Sequence, residues 1–119
     1  AARYQKELSA LPIDLPVSLQ NIYSALHLYP IRLRLDEIKN ARKEIFEAVL
    51  SHHIGVNVHY IPVHLQPFYE NLGFAPGDFP VSEQYYAETI TLPLFPSMTT
   101  EQQDRVINAL KDVLQSYYR

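Results

Sequence analysis

The sequence has no cysteine at all, which excludes disulfide frameworks, thiol nucleophiles and thiolate metal sites. Only three glycines are present, too few and too scattered for a loop that cradles phosphate. No apolar run approaches the roughly 20 residues a membrane-spanning helix needs, and no signal-peptide pattern opens the chain. Nor is there a basic excess: 10 Lys+Arg stand against 13 Asp+Glu, a formal net charge of −3. Phosphate attraction needs clustered positive charge, so general nucleic-acid binding and attachment to anionic membranes are not expected. There is no internal repeat and no low-complexity tract.

What is present suits one globular domain. The 119 residues are 47% hydrophobic and 19% charged, a balance outside the disordered class. A chain of this length buries roughly two-thirds of its unfolded surface and supports one core without staples. Residues 1–11 read as the end of a helix: Tyr4, Leu8 and Leu11 fall at i, i+4 and i+7, and Pro12 stops it. Such an opening suits either a short N-terminal helix or a segment cut from within a longer protein.

Residues 12–26 read as an ordered linker with a short extended piece. Residues 27–35 alternate, with Ile31, Leu33 and Leu35 on one face and Arg32 and Arg34 on the other, as in a half-buried strand. Pro30 lacks an N–H, which puts that strand at an edge or places Pro30 at a bulge. Residues 36–51 carry Ile38, Ala41, Ile45, Ala48 and Val49 at helical spacing, widened by Phe46 and Leu50, with Asp36 or Asn40 as cap. Gly55 closes that helix, and residues 56–61 alternate as a second strand.

Residues 62–80 hold four of the nine prolines and two of the three glycines, with Phe68, Tyr69, Phe74 and Phe79 among them. That pattern predicts a long ordered loop with one helical turn near 68–72, and such loops often carry function. A short helix over 81–88 and a third strand over 89–95 follow. Thr100 and Gln103 have capping-box spacing ahead of a final helix striped by Val106, Ile107, Leu110, Val113, Leu114 and Tyr117. The order predicts a two-layer α+β domain, a three-stranded, mainly antiparallel sheet with helices packed mainly on one face.

The densest polar and aromatic cluster lies at 58–69. On a strand, His59 and Tyr60 point to opposite faces, and His64 follows past a proline. Imidazole and phenol can bond a phosphate or a sugar hydroxyl; either can equally satisfy a backbone group under the loop. His27, His59 and His64 could offer three imidazoles to a metal, but the spacing crosses a proline and no carboxylate completes a familiar set. His52 and His53 suit the C-terminal dipole of the first main helix.

A nucleophile is hard to find. None of Ser9, Ser18, Ser24, Ser51, Ser82, Ser97 and Ser116 sits in a nucleophile elbow. Lys6, Lys39, Lys43 and Lys111 fall on polar helix faces, whereas a reactive lysine needs burial or a neighbouring cation. Glu44, Glu47, Asp104 and Asp112 read as solvated faces. Taken alone, the residues show no catalytic machinery.

The run Gly55-Val56-Asn57-Val58-His59-Tyr60-Ile61-Pro62-Val63-His64, with Pro67-Phe68-Tyr69, Leu72-Gly73-Phe74 and Leu92-Pro93-Leu94-Phe95-Pro96, resembles the C-terminal domain of the DegT/StrS-type nucleotide-sugar aminotransferases. These are pyridoxal 5'-phosphate (PLP) enzymes of the aspartate-aminotransferase fold. The resemblance implies that residues 1–11 end an interdomain helix, 12–26 are a linker, and 27–119 form the small domain of a fold-type-I aminotransferase. It implies transfer of an amino group from an amino-acid donor to a keto group of a nucleotide-linked sugar, for surface glycans. Within the family, the chain looks most similar to transaminases of UDP-linked 4-keto-6-deoxy-N-acetylhexosamines.

The family's cofactor is held by a lysine in a large N-terminal domain, and no lysine here matches that motif. The resemblance therefore implies a fragment inactive by itself, without catalytic, cofactor-binding or metal-binding residues of its own. It also implies a cytoplasmic homodimer when full-length, with neither nucleic acid nor membrane as partner. By motif position His59, Tyr60 and His64 are expected to contact substrate, with His27 and Tyr29 as further candidates. Phe68 and Tyr69 are candidates for the face that docks the large domain. His53 stands where members often have Gly, so the helix before it is expected to end without the usual left-handed Gly cap. The alternative is a stand-alone α+β ligand-binding or regulatory module with a pocket of its own.

Overall fold

The computed structural model describes residues 1–17 and 19–119; Ser18 lies outside the described residues. Helix α1 is Ala2–Leu8, β1 Ile13–Asp14, β2 Tyr29–Leu33, α2 Arg42–Ser51, α3 Pro67–Glu70, α4 Pro80–Glu88, β3 Thr89–Leu92 and α5 Thr100–Tyr117. A 3₁₀ turn at Val63–Leu65 precedes α3. The strands form one antiparallel sheet in the order β1-β2-β3, so the α+β architecture is as the sequence predicts.

Strand alternation sorts the two faces of this sheet. Tyr29, Ile31 and Leu33 stand opposite Leu92, Ile90 and Ile13, and all six are at most 2% exposed. Against them pack Val106, Ile107, Leu110 and Leu114 of α5, Ile45 and Val49 of α2, and Tyr4 and Leu8 of α1. Helix α1 therefore belongs to the same core. Its Tyr4 hydroxyl donates to Pro93 O at 2.8 Å, and Arg3 pairs with Asp104 of α5. The other face carries Pro30, Arg32, Thr89 and Thr91. Helix α4 lies over it, where Arg32 Nε and Nη2 donate to Glu88 Oε2 at 2.9 and 2.5 Å.

Four local expectations are corrected. Residues 56–61 do not form a strand: only Asn57 bridges β3, through reciprocal backbone bonds with Thr91. The next N–H, that of Val58, turns back to Asn57 Oδ1 at 2.8 Å, and no further backbone bond to β3 follows among the described residues. The third strand is instead β1, the short extended piece of the linker. Strand β2 is thus central, yet Pro30 is tolerated. Arg34 N–H donates to Pro12 O, so the alternate residues 34, 32 and 30 face β1, and β1 ends at Asp14, opposite Arg32. The missing N–H of Pro30 faces no strand.

Helix α2 begins at Arg42, with neither Asp36 nor Asn40 capping it. The residues ahead of it are tied to the C-terminal tail: Lys39 N–H donates to Tyr117 O, and Arg119 N–H to Glu37 O. The capping box of α5 sits one residue earlier than expected. Gln102 N–H donates to Thr99 Oγ1 at 3.2 Å and Thr99 N–H to Gln102 Oε1 at 2.9 Å. Helix α2 ends without a Gly cap, and the left-handed position is taken by His53 itself, at φ 60°.

Candidate functional site: the His59–Tyr60 corner

Residues 57–64 leave the edge of β3 and run over the sheet face opposite α2 and α5. Thr91 is the anchor. It is buried, its backbone exchanges both bonds with Asn57 at 3.2 and 2.7 Å, and its Oγ1 lies 2.9 Å from His59 Nδ1. The His59 ring is half-buried, and its Nε2 has no hydrogen bond among the described residues and is not sealed from solvent. Tyr60 stands beside it, edge-to-face at 4.6 Å between ring centroids, and is 69% exposed. The two rings therefore share one corner instead of opposite faces, because the segment is not a strand; the peptide between them is cis. Imidazole and phenol together offer an open polar edge, suited to oxygen atoms of a ligand.

His64 has a different place. It is buried, with its ring 4.7 Å from that of Phe79, and its Nε2 is 2.9 Å from Glu83 Oε1. The same carboxylate accepts the N–H of Gly77 at 2.8 and 2.9 Å and that of Phe79 at 3.2 Å. Gly77's N–H first, and then the His64 bond, hold the Glu83 carboxyl below the usual carboxylate range. An ionised carboxylate only accepts, so His64 Nε2 carries the donated proton. Around this pair, Val63, Tyr69, Phe74 and Ser82 line an open pocket of about 320 Å³. Ser82 makes no hydrogen bond to His64 among the described residues, so no nucleophile–base pair forms.

The remaining candidates are not gathered here. Tyr29 is 1% exposed, its ring 5.0 Å from that of Tyr4 in the core, and burial pushes its phenol up to about 12. A ligand cannot reach it, which corrects its place among the substrate candidates. His27 is exposed and lines a separate opening of about 580 Å³ with Ala1, Leu26 and Phe95. Among the described residues no three His, Asp or Glu side chains converge on a metal-sized point, so His27, His59 and His64 do not assemble. Sequence reasoning missed Glu83 and Thr91. Both fell inside predicted elements, the helix over 81–88 and the strand over 89–95, with no local pattern to mark them.

The lysines give the test for a cofactor. Lys6, Lys39 and Lys43 are exposed, Lys43 lies 4.0 Å from Glu47, and Lys111 pairs with Glu7 at 3.5 Å. None is buried or set beside a cation, the usual conditions for a Schiff-base lysine. None of these four lysines is placed to hold PLP as a Schiff base.

Fold and site together define a small α+β domain that presents an imidazole and a phenol side by side at one open corner. The chain belongs to the DegT/DnrJ/EryC1/StrS aminotransferase family, whose sequence profile matches residues 1–111. It is 35% identical over 117 residues to the spore coat polysaccharide biosynthesis protein SpsC of Bacillus subtilis, covering 96% of this chain and 30% of that protein. It is 38% identical over 115 residues to the erythromycin biosynthesis sensory transduction protein EryC1 of Saccharopolyspora erythraea, covering 93% and 29%. The structure of Spr1654 from Streptococcus pneumoniae, in its PMP form, superposes with a TM-score of 0.88 at 28% identity, covering 97% of this chain and 29% of that one. The chain spans less than a third of the length of these relatives.

Proposed function

We propose that this chain is the C-terminal small domain of a PLP-dependent aminotransferase. The enzyme transfers an amino group from an amino-acid donor to a keto group of a nucleotide-linked sugar, in a route to surface polysaccharide. Residues 1–11 end the helix that joins it to a large N-terminal domain, 12–26 link, and 27–119 form the domain proper. The enzyme works as a cytoplasmic homodimer, and the chain alone is inactive. Family membership supports this reading, as does the mismatch between this chain's lysines and the cofactor. When bound, PLP supplies the electron sink for amino exchange, and its lysine lies outside these residues.

The observation that carries the reading is the His59–Tyr60 corner. The family-like motif places a half-buried imidazole, held from behind by Thr91, next to an exposed phenol. In the assembled enzyme these two side chains bind and orient sugar or diphosphate oxygens, and they move no proton in the chemistry. His64 contributes by holding the loop through Glu83, and His27 is a peripheral contact. The test is steady-state kinetics of the full-length enzyme with a UDP-linked 4-keto-6-deoxy-N-acetylhexosamine. His59→Ala is expected to raise KM for the sugar by about tenfold, the worth of one ordered hydrogen bond, with kcat within about twofold. Absence of amino transfer to any nucleotide-linked keto-sugar contradicts the proposal.

A further inference from the structure

Of the two buried threonines of β3, Thr89 donates to Ile31 O at 3.3 Å, and Thr91 faces the candidate site. It is 6% exposed, and its hydroxyl has a single partner among the described residues, His59 Nδ1 at 2.9 Å. A buried hydroxyl proton left without an acceptor costs more than an acceptor left without a donor. The hydroxyl therefore donates and Nδ1 accepts. A neutral imidazole whose Nδ1 accepts carries its proton on Nε2, and Nε2 is the nitrogen with no partner among the described residues. The backbone acts in the same sense: two bonds between Thr91 and Asn57 fix the chain two residues before the ring.

We propose that Thr91 is a positioning residue that fixes the plane and tautomer of His59, so that neutral His59 presents an Nε2–H donor to an acceptor oxygen of the ligand. The ligand chemistry this selects is an unprotonated oxygen, such as a phosphate or carbonyl oxygen. The proposal rests on the reading of His59 as a substrate contact. It adds that the specificity of that contact is set one layer behind it. A valine at 91 keeps the shape and the backbone bonds but removes the hydroxyl. A serine keeps the hydroxyl.

The test uses the full-length enzyme labelled with ¹⁵N-histidine, at a pH about two units above the ordinary imidazole value. Long-range ¹H–¹⁵N spectra, with His59→Ala to assign the signal, are expected to show a pyridine-like Nδ1 and a pyrrole-like Nε2 for His59. Thr91→Val is expected to mix the two tautomers and raise KM for the nucleotide sugar by about tenfold at near-constant kcat. Thr91→Ser is expected to restore both spectrum and KM. A pyrrole-like Nδ1 in the unmodified enzyme overturns the proposal whatever the kinetics. An unchanged KM in Thr91→Val, with His59→Ala impaired, also overturns it while leaving His59 as a contact. An unchanged KM in His59→Ala removes the underlying substrate reading, and the proposal with it. Circular dichroism of Thr91→Val, compared with Thr91→Ser, separates a lost hydroxyl from a lost fold.

Discussion

His64 Nε2 donates to Glu83 Oε1 at 2.9 Å, joining the 3₁₀ turn after Pro62 to the first turn of α4. The carboxylate also gathers the N–H groups of Gly77 and Phe79, so one side chain closes the aromatic loop. Without it, the buried imidazole and three loop donor bonds lose their acceptor.

That arrangement makes the loop acid-sensitive. Glu83 is held below the usual range by Gly77's N–H and then by His64, and glutamate in an unfolded chain titrates near ~4.3. A depressed carboxyl stabilises the fold above the unfolded value, and the benefit is lost as pH falls through the folded pKa. Glu83→Gln is expected to lower the urea midpoint near neutrality, with the gap to the parent closing as pH falls below the ordinary glutamate value. A gap that does not vary with pH contradicts this.

Tyr4 and Tyr29 touch in the core but differ in their hydroxyls. Tyr4 donates to Pro93 O, whereas Tyr29 Oη is sealed without a partner among the described residues. Burial raises both phenols above their ordinary value, Tyr29 to about 12 and Tyr4 further. Tyr4→Phe is expected to cost about 1 kcal/mol, and Tyr29→Phe to leave stability unchanged or slightly raised. Paired denaturation curves check it; equal losses contradict it.

His53 holds φ 60°, where an L side chain crowds the following carbonyl. His53→Gly relieves that contact and is expected to stabilise the fold by about 1 kcal/mol. Thermal unfolding measures the change, and a destabilised variant contradicts the assignment of the cap.

The N-terminus of α5 separates two neighbouring threonines. Thr99 accepts the Gln102 N–H, so Thr99→Ala is expected to cost about 1 kcal/mol and Thr100→Ala close to nothing. Reversed magnitudes in denaturation curves contradict the register of the box.

Periodicity made the main elements legible. The stripe from Val106 to Leu114, the alternation of Ile31 and Leu33, and the Pro-rich aromatic loop all stand where their spacing puts them. Boundaries were set by partners distant in sequence. The cap of α5 shifted by one because Thr99 and Thr100 are adjacent and chemically alike. Helix α2 lost its first turn to the tail through Tyr117 and Arg119. The strand that alternation predicts over 56–61 is cut to a single bridge, Asn57 with Thr91. At the site, the motif drew attention to His59, Tyr60 and His64. It did not reveal that Thr91 and Glu83 give two histidines opposite fates, one open and one locked, since that depends on contacts 32 and 19 residues apart.

The most direct measurement is borohydride trapping of PLP, read by mass spectrometry, on the 119-residue chain and on the full-length enzyme at equal cofactor concentration. The account predicts no stoichiometric pyridoxyl adduct on Lys6, Lys39, Lys43 or Lys111, and one full-length adduct at a lysine outside these residues. A stoichiometric adduct on any of the four contradicts it.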